Sequence, residues 1–357
     1  MNRLEKRKQR KLQHLDLFIK LFDNNRPDVF QNYSFVHNSL PELSLSDIDL
    51  GTYLFNNKLK INSPFIINAI TGGIEQGKEI NRALASAAKE LGIPMAVGSQ
   101  YVALRDTSII DTFKVVREEN PKGIIFANSG AMVSLQSAQT IVDMIEANAL
   151  QIHLNIPQEV VMDEGDRSFK GYLFNIEQIV KRLEVPVIVK EVGFGISGKV
   201  ARKLADIGVS GIDIGGKGGT NFIEIEQERS RNTIGNLFKD WGIPTGISLV
   251  ECIKSVPEHV DIIASGGIRD GLNTAKALAL GAKCVGIAGL FLYILLTKGQ
   301  NELINTIKKL EKELKLTMLM LGAKNPRELT RCPVVITGKS KEWLELRGYD
   351  ISFFAKR

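Results

Sequence analysis

Cysteine is scarce in this chain: Cys252, Cys284 and Cys332 are three in 357 residues, odd in number, far apart and without C-x-x-C spacing. That argues against a disulfide framework and for free thiols in a reducing compartment. Long apolar runs are missing as well. The longest, Val285 to Leu296, is flanked by lysines and falls well short of the roughly 20 residues a spanning helix requires. The charged start does not lead into an uninterrupted apolar stretch, so no signal peptide and no membrane partner are expected, and the cytoplasm is the default. Low-complexity tracts are absent, and no repeat longer than a strand–helix unit is evident.

What is present is the composition of a globular chain, 44% hydrophobic and 24% charged. The length suits one barrel with insertions and suffices to bury a large core. A net charge of +6 is compatible with an acidic ligand and selects none. Arg3, Lys6, Arg7, Lys8, Arg10 and Lys11 crowd the N-terminus. Aromatic residues do not interleave with them and no helix-turn-helix, RNA-binding or zinc-finger pattern follows, so no nucleic-acid partner is expected. The plain alternative for this run is a solvated basic arm.

From about residue 62 the pattern becomes regular. Short β-rich runs end in Gly, Ser or Asn and alternate with longer helical stretches. The runs are Phe65–Ala69, Pro94–Val97, Gly123–Ala127, Leu150–Leu154, Val187–Lys190, Gly211–Ile214, Asp261–Ala264 and Cys284–Ile287. Eight such units without a break in composition predict parallel strands with right-handed crossovers, closed into one (β/α)8 TIM barrel; an open doubly wound sheet is the alternative. Helices are expected over Glu79–Leu91, Leu272–Leu280 and Glu302–Leu321. The expected organisation is an N-terminal arm and extension (1–62), the barrel (63–322) and a small C-terminal helical cap (323–357). The longest gap, between the sixth and seventh strands, holds Gly215 to Thr220 and the charged stretch Glu224–Arg231, a candidate lid.

In this fold active sites form at the C-terminal ends of the strands. The residues there are polar and glycine-rich: Thr71-Gly-Gly73, Gly98-Ser-Gln100, Asn128-Ser-Gly130, His153-Leu-Asn155, Lys190-Glu-Val192, Gly215-Gly216, Ser265-Gly-Gly-Ile-Arg269 and Ala288-Gly289. Gly266 and Gly267 allow close approach of backbone N–H groups to a phosphate, the following helix is expected to offer its N-terminus, and Arg269 adds a charged contact. Ala288-Gly289 supplies a second close approach. Such turns can also serve packing alone.

His153 and Asn155, two apart, face the same way, with Gln158 and Glu159 in the loop above. They form either a ligand site or a polar layer that satisfies itself. Glu159 can hold Mg2+ shared with substrate phosphates, because Mg2+ keeps several waters and takes one or two carboxylates. Lys190 ends a valine-rich strand, where its ammonium can stabilise negative charge on a bound ring or oxyanion, or pair with a neighbouring carboxylate. Arg10, Lys11 and His14 fall on one face if their segment is helical, a face able to clamp a diphosphate.

Together these segments resemble the type 2 isopentenyl-diphosphate isomerases over about residues 10 to 330. The resemblance rests on Arg10-Lys-x-x-His14, Asn68-Ala-Ile-Thr-Gly-Gly73, Met95-Ala-Val-Gly-Ser99, Gln151-Ile-His-Leu-Asn155 with Gln158-Glu159, Val189-Lys-Glu-Val-Gly-Phe-Gly195, Gly216-Lys-Gly-Gly-Thr-Asn221 and Ser265-Gly-Gly-Ile-Arg269. It implies FMN across the barrel mouth, with Ala69, Ile70, Thr71 and Gly72 under the ring and Ser99, Asn128 and Lys190 at its polar edge. Thr220, Gly266, Gly267, Arg269, Ala288 and Gly289 would contact the ribityl chain and phosphate. The substrate diphosphate would meet Arg10, Lys11, His14, His153, Asn155 and Gln158, with Mg2+ on Glu159. The resemblance further implies NADPH as reductant of FMN and a symmetric homo-oligomer, a tetramer or octamer. The chain departs from the family pattern at Tyr101, where many members carry a basic residue, and at Ile70, where Met is usual.

The implied reaction is a 1,3-allylic proton shift with no net redox change. The rims show no obvious side-chain acid–base pair, so His153 and Gln158 are expected to position the substrate while reduced flavin acts as acid and base. The rivals are an FMN-dependent 2-hydroxy-acid oxidase or dehydrogenase, which needs a histidine base near the seventh strand, a barrel of the IMP-dehydrogenase type, which needs a mouth cysteine, and a non-catalytic phosphate-ligand or nucleic-acid-binding barrel.

Overall fold

A computed structural model describes the backbone of residues 3–22, 27–230 and 234–357, and their side chains apart from those of residues 3–8 and 10. Eight parallel strands close into a barrel: β1 (Phe65–Ile67), β2 (Met95–Ala96), β3 (Ile125–Gly130), β4 (Ala149–Leu154), β5 (Val187–Glu191), β6 (Gly211–Asp213), β7 (Asp261–Ser265) and β8 (Cys284–Ile287). Each pairs with its sequence neighbours, and β8 returns to β1 through Val285 opposite Phe65 and Ile287 opposite Ile67. The open sheet is thereby excluded, and all eight expected runs are strands within two or three residues of the expected ends.

Strands of a closed barrel are covered by helices outside and by one another's side chains inside, so both faces are buried. Accordingly, β5 is buried over its whole length, Lys190 and Glu191 included. The outer helices are amphipathic. In Glu75–Leu91 the buried face includes Ile80, Leu84 and Ala88, spaced by four, and the helix ends at Gly92, whose φ of 64° suits glycine. In Gln300–Leu321 the buried face is Leu303, Ile307, Leu310, Leu314 and Met318, which packs on Gly271–Leu280 and Glu75–Leu91. Each of those side chains contributes about 1.5–3 kcal/mol by leaving water.

Two features outside the barrel were not legible as regular structure. A hairpin, Thr52–Leu54 with Leu59–Ile61, places Leu54, Phe55 and Ile61 against Ile66, Ala96, Phe126, Ala149, Ile188, Ile263 and Cys284, plugging the N-terminal end of the barrel. Tyr33–Phe35 is a strand antiparallel to Val334–Ile336, so the extension and the C-terminal segment share a small sheet. Arg3–Leu21 is a helix lying against a second helix, Phe222–Ser230, from the candidate lid. Among the described residues no helix is long and apolar enough to cross a membrane.

Candidate active site

A cavity of about 590 Å³ opens at the C-terminal ends of the strands, within the usual range for small-molecule and cofactor sites. The sequence-expected residues converge on it. Lys11, His14, Ala69, Ile70, Thr71, Ser99, Asn128, His153, Asn155, Gln158, Glu159, Lys190, Thr220, Gly266, Gly267, Arg269, Ala288 and Gly289 all line it. Gly72 does not. Its φ is 152° and a Cβ there would come within 2.2 Å of the Phe113 ring, so it serves the turn, while its carbonyl accepts a hydrogen bond from Lys11 Nζ. Arg10, expected at the substrate diphosphate, has a side chain that lies outside the described residues.

The phosphate turn is a backbone cradle. Gly266 and Gly267 have φ of 105° and 86°, and a Cβ would come within 2.1 Å of the Gly216 carbonyl or 2.3 Å of the Gly218 carbonyl. Gly219 packs on the same turn, where an added Cβ would come within 3.1 Å of the Gly267 nitrogen. Only glycine fits such a conformation at such a spacing. One expectation requires correction. The helix after β7, Gly271–Leu280, does not offer its N-terminus: the Asp270 carboxylate accepts from Asn273 N at 2.7 Å and Glu313 accepts from Gly271 N at 2.8 Å. Carboxylates already satisfy those donors. The helix after β8, Gly289–Lys298, begins at Ala288 without a side-chain cap and opens on the cavity, so it is the one suited to an anion.

Lys190 donates to the Glu191 carbonyl at 2.9 Å rather than to a carboxylate. Burial pushes the Glu191 carboxyl up to about 8, against the pull of the Phe194 and Val192 N–H groups. The arm is tied to the rim by a residue sequence inspection passed over within the charged stretch. Glu226, fully buried, accepts from Gln158 Nε2 at 2.9 Å and Arg229 Nε at 2.6 Å, and lies 2.8 Å from His14 Nε2. Burial alone would raise its carboxyl, but His14, Gln158 and Arg229 outweigh it and hold it down at about 2. The lid stretch is thus a helix that joins the arm to the His153–Glu159 loop.

Glu159 is held from two sides: Oε1 accepts from Asn155 Nδ2 at 2.8 Å and Oε2 from Asp166 N at 2.9 Å. Among the described residues no three His, Cys, Asp or Glu side chains are grouped to hold a metal. At the position of the family departure, Arg105 donates to Tyr101 Oη at 2.9 Å and stacks over its ring at 5.1 Å, and both line the cavity. A basic group therefore reaches this rim from four residues later.

Burial, then Lys190 and Lys11, depress the His153 imidazole to about 4. The unfolded chain protonates near 6.5 and the folded one resists, so stability is full above 6.5 and is lost as pH falls from about 6.5 towards 4. Urea unfolding of the His153→Gln variant is expected to show a weaker pH dependence across that window than the parent; equal slopes would contradict a neutral buried ring.

Of the four histidines only His14 and His153 line the cavity; His259 lies exposed just before β7, at the opposite end of the barrel. All three cysteines are buried and none lines it.

A family model described as FMN-dependent dehydrogenase matches residues 129–335. Full-length similarity is closer still: an isopentenyl-diphosphate delta-isomerase of Geobacillus sp. is 49% identical over 98% of this chain and 99% of its own length. The chain belongs to the isopentenyl-diphosphate delta-isomerase family, within the FMN-dependent dehydrogenases. Family members from Bacillus pumilus and Listeria welshimeri are 46% and 44% identical, each over 98% of both chains. Solved structures resemble it in fold alone. A mandelate oxidase variant with 2-hydroxy-phenylacetamide aligns at TM-score 0.64 and 16% identity, covering 94% of this chain and 98% of that one. A lactate oxidase of Pediococcus acidilactici aligns at 0.62 and 19%, covering 93% and 87%.

Proposed function

We propose that this chain interconverts isopentenyl and dimethylallyl diphosphate by a 1,3-allylic proton shift. The observation that carries this reading is the convergence of the arm, through Lys11 and His14, with the His153–Glu159 cluster over a glycine cradle, in a chain of isomerase lineage. The cradle fits FMN because a side-chain-free turn, Arg269 and the uncapped start of Gly289–Lys298 border the same cavity. Gly266, Gly267, Arg269, Ala288, Gly289 and Thr220 would hold the ribityl phosphate, Ala69 to Thr71 the ring, and Ser99, Asn128 and Lys190 its polar edge. Reduced FMN, when bound, supplies an electron-rich surface and a site for proton exchange beside the alkene.

The chain's own residues bind and orient. Lys11 and Arg10 would neutralise the diphosphate, and Gln158, Asn155 and His153 would hydrogen-bond it and so orient the substrate. Glu159, already aimed by Asn155 and Asp166, would share Mg2+ with the diphosphate oxygens. The helix Phe222–Ser230 and the arm exclude water from the mouth. Reduction by NADPH, a place in isoprenoid synthesis and a symmetric homo-oligomer complete the reading. The hydroxy-acid oxidase alternative is weakened by the position of His259, and the thiol-dependent one by the buried cysteines.

The test is an anaerobic incubation of protein, FMN, NADPH, Mg2+ and isopentenyl diphosphate. Formation of dimethylallyl diphosphate is expected, and its absence with folded, flavin-loaded protein would refute the reading. If Arg105 replaces the missing basic residue at 101, Arg105→Ala raises KM for isopentenyl diphosphate about tenfold, the scale of a lost charge-assisted hydrogen bond, with FMN affinity unchanged. An unaltered KM would confine Arg105 to packing on Tyr101.

A further inference from the structure

The barrel interior carries a line of side-chain hydrogen bonds that no role above uses. It starts at Asp213 on β6 and crosses to residues on or beside β1, β4 and β3. Asp213 Oδ2 accepts from Asn68 Nδ2 at 2.7 Å, and Asn68 Oδ1 accepts from Gln151 Nε2 at 3.0 Å. Gln151 Oε1 accepts from Asn128 Nδ2 at 3.2 Å, and Asn128 Oδ1 lies 2.8 Å from His153 Nδ1. Asp213, Asn68, Gln151 and Asn128 are all buried, so water is not available to satisfy a misdirected amide.

We infer that Asp213 is a positioning residue that sets the tautomer of His153 through Asn68, Gln151 and Asn128. The direction of the line is forced at its origin by two backbone donors. Ala69 N–H donates to Asn68 Oδ1 at 2.9 Å, so the Asn68 atom facing Asp213 is the amide nitrogen. Gly215 N–H at 3.3 Å and the Ser265 hydroxyl donate to Asp213 Oδ1, leaving Oδ2 as acceptor for Asn68. Each amide has one oxygen and one NH2, so fixing the first orients the next two. The last presents an oxygen to His153, which must answer with Nδ1–H. A neutral ring then has a bare Nε2. That nitrogen faces Gly130, where a Cβ would sit 3.5 Å away, and the ring lines the cavity.

The charged groups that act on this ring are Lys190 of β5 and Lys11 of the arm, both of which oppose its protonation. In the resting protein His153 Nε2 is therefore an acceptor. It can donate to a diphosphate oxygen only after taking up a proton. The use of His153 by substrate rests on the isomerase reading; the tautomer does not.

The experiment is 15N NMR of the FMN-loaded protein labelled at its histidine side chains. With four histidines in the chain, His153→Gln identifies the signal by subtraction. The parent is expected to show His153 protonated at Nδ1 and bare at Nε2. In Asp213→Asn, the new amide must keep its oxygen towards Gly215 N–H, so its NH2 opposes Asn68 Nδ2. Inverting the line relieves that clash at the cost of the Ala69 N–H bond to Asn68, so an Nε2–H population of His153 should appear beside the Nδ1–H one. Gln151→Leu cuts the line in the middle and should likewise give a mixture, which keeps the inference testable if Asp213→Asn does not fold. An Nε2–H ring in the parent would overturn it, as would an unchanged Nδ1–H ring in folded Asp213→Asn or Gln151→Leu. An expected tautomer pattern in a protein without isomerase activity would overturn the proposed function alone.

Discussion

Gly266→Ala is expected to lower FMN affinity by at least about 100-fold, since 1–3 kcal/mol of backbone strain adds to a steric conflict and each 1.4 kcal/mol is tenfold. The φ of Gly266 is 105°, outside what an L residue adopts comfortably, and its new Cβ would lie 2.1 Å from the Gly216 carbonyl. Neither end can yield, because the Gly216 nitrogen donates to Ser265 O at 2.8 Å across the barrel rim. The displaced turn would carry Gly267 and Arg269 with it. Fluorescence titration of the apoprotein with FMN measures the effect. Gly299→Ala is the control: Gly299 has φ of 85° and nothing within 4 Å of its Cβ position, so it tests strain remote from the cavity. It should cost stability and leave FMN affinity unchanged. Equal affinities in Gly266→Ala and the parent would place the flavin phosphate elsewhere.

Glu159→Gln is expected to reduce isomerase kcat/KM by about 100-fold or more, at or above the upper end of what disturbing a metal site's supporting shell costs. The FMN content should not change. Both carboxylate oxygens accept hydrogen bonds, from Asn155 Nδ2 and Asp166 N. An amide would turn a donor on one of these donors, so the variant loses a negative charge and the aim of the side chain together. More Mg2+ should be needed for half-maximal activity. Loss of flavin from this variant would mean that the metal role has been assigned to the wrong residue.

Much of this molecule was legible because its physics is local. Strand ends followed from short apolar runs closed by Gly, Ser or Asn, and helices were expected over Glu79–Leu91, Leu272–Leu280 and Glu302–Leu321, all of which are helical. The cavity residues followed from one topological rule, that side chains just after parallel strands share a mouth. The hairpin at Thr52–Ile61 was missed because its strands are three residues long and its burial depends on the barrel end it plugs. The N-terminus of Gly271–Leu280 was misjudged because its second cap, Glu313, comes from a helix 42 residues away in sequence.

The amino-acid sequence by itself determined the barrel, its cradle and the identity of the groups around its mouth, since periodicity and glycine placement are written into consecutive residues. Tertiary structure alone decided which of those groups are in use within the protein. Glu226 became the hub of the arm because His14 and Gln158 come to it from two separate segments, beside Arg229 of its own helix. Arg105 came to occupy the rim beside Tyr101 because both line one cavity. His153 acquired a direction only when four buried partners from separate strands were brought within hydrogen-bond distance, and the donor or acceptor role of an amide or imidazole is defined by what it faces, not by its place in the chain.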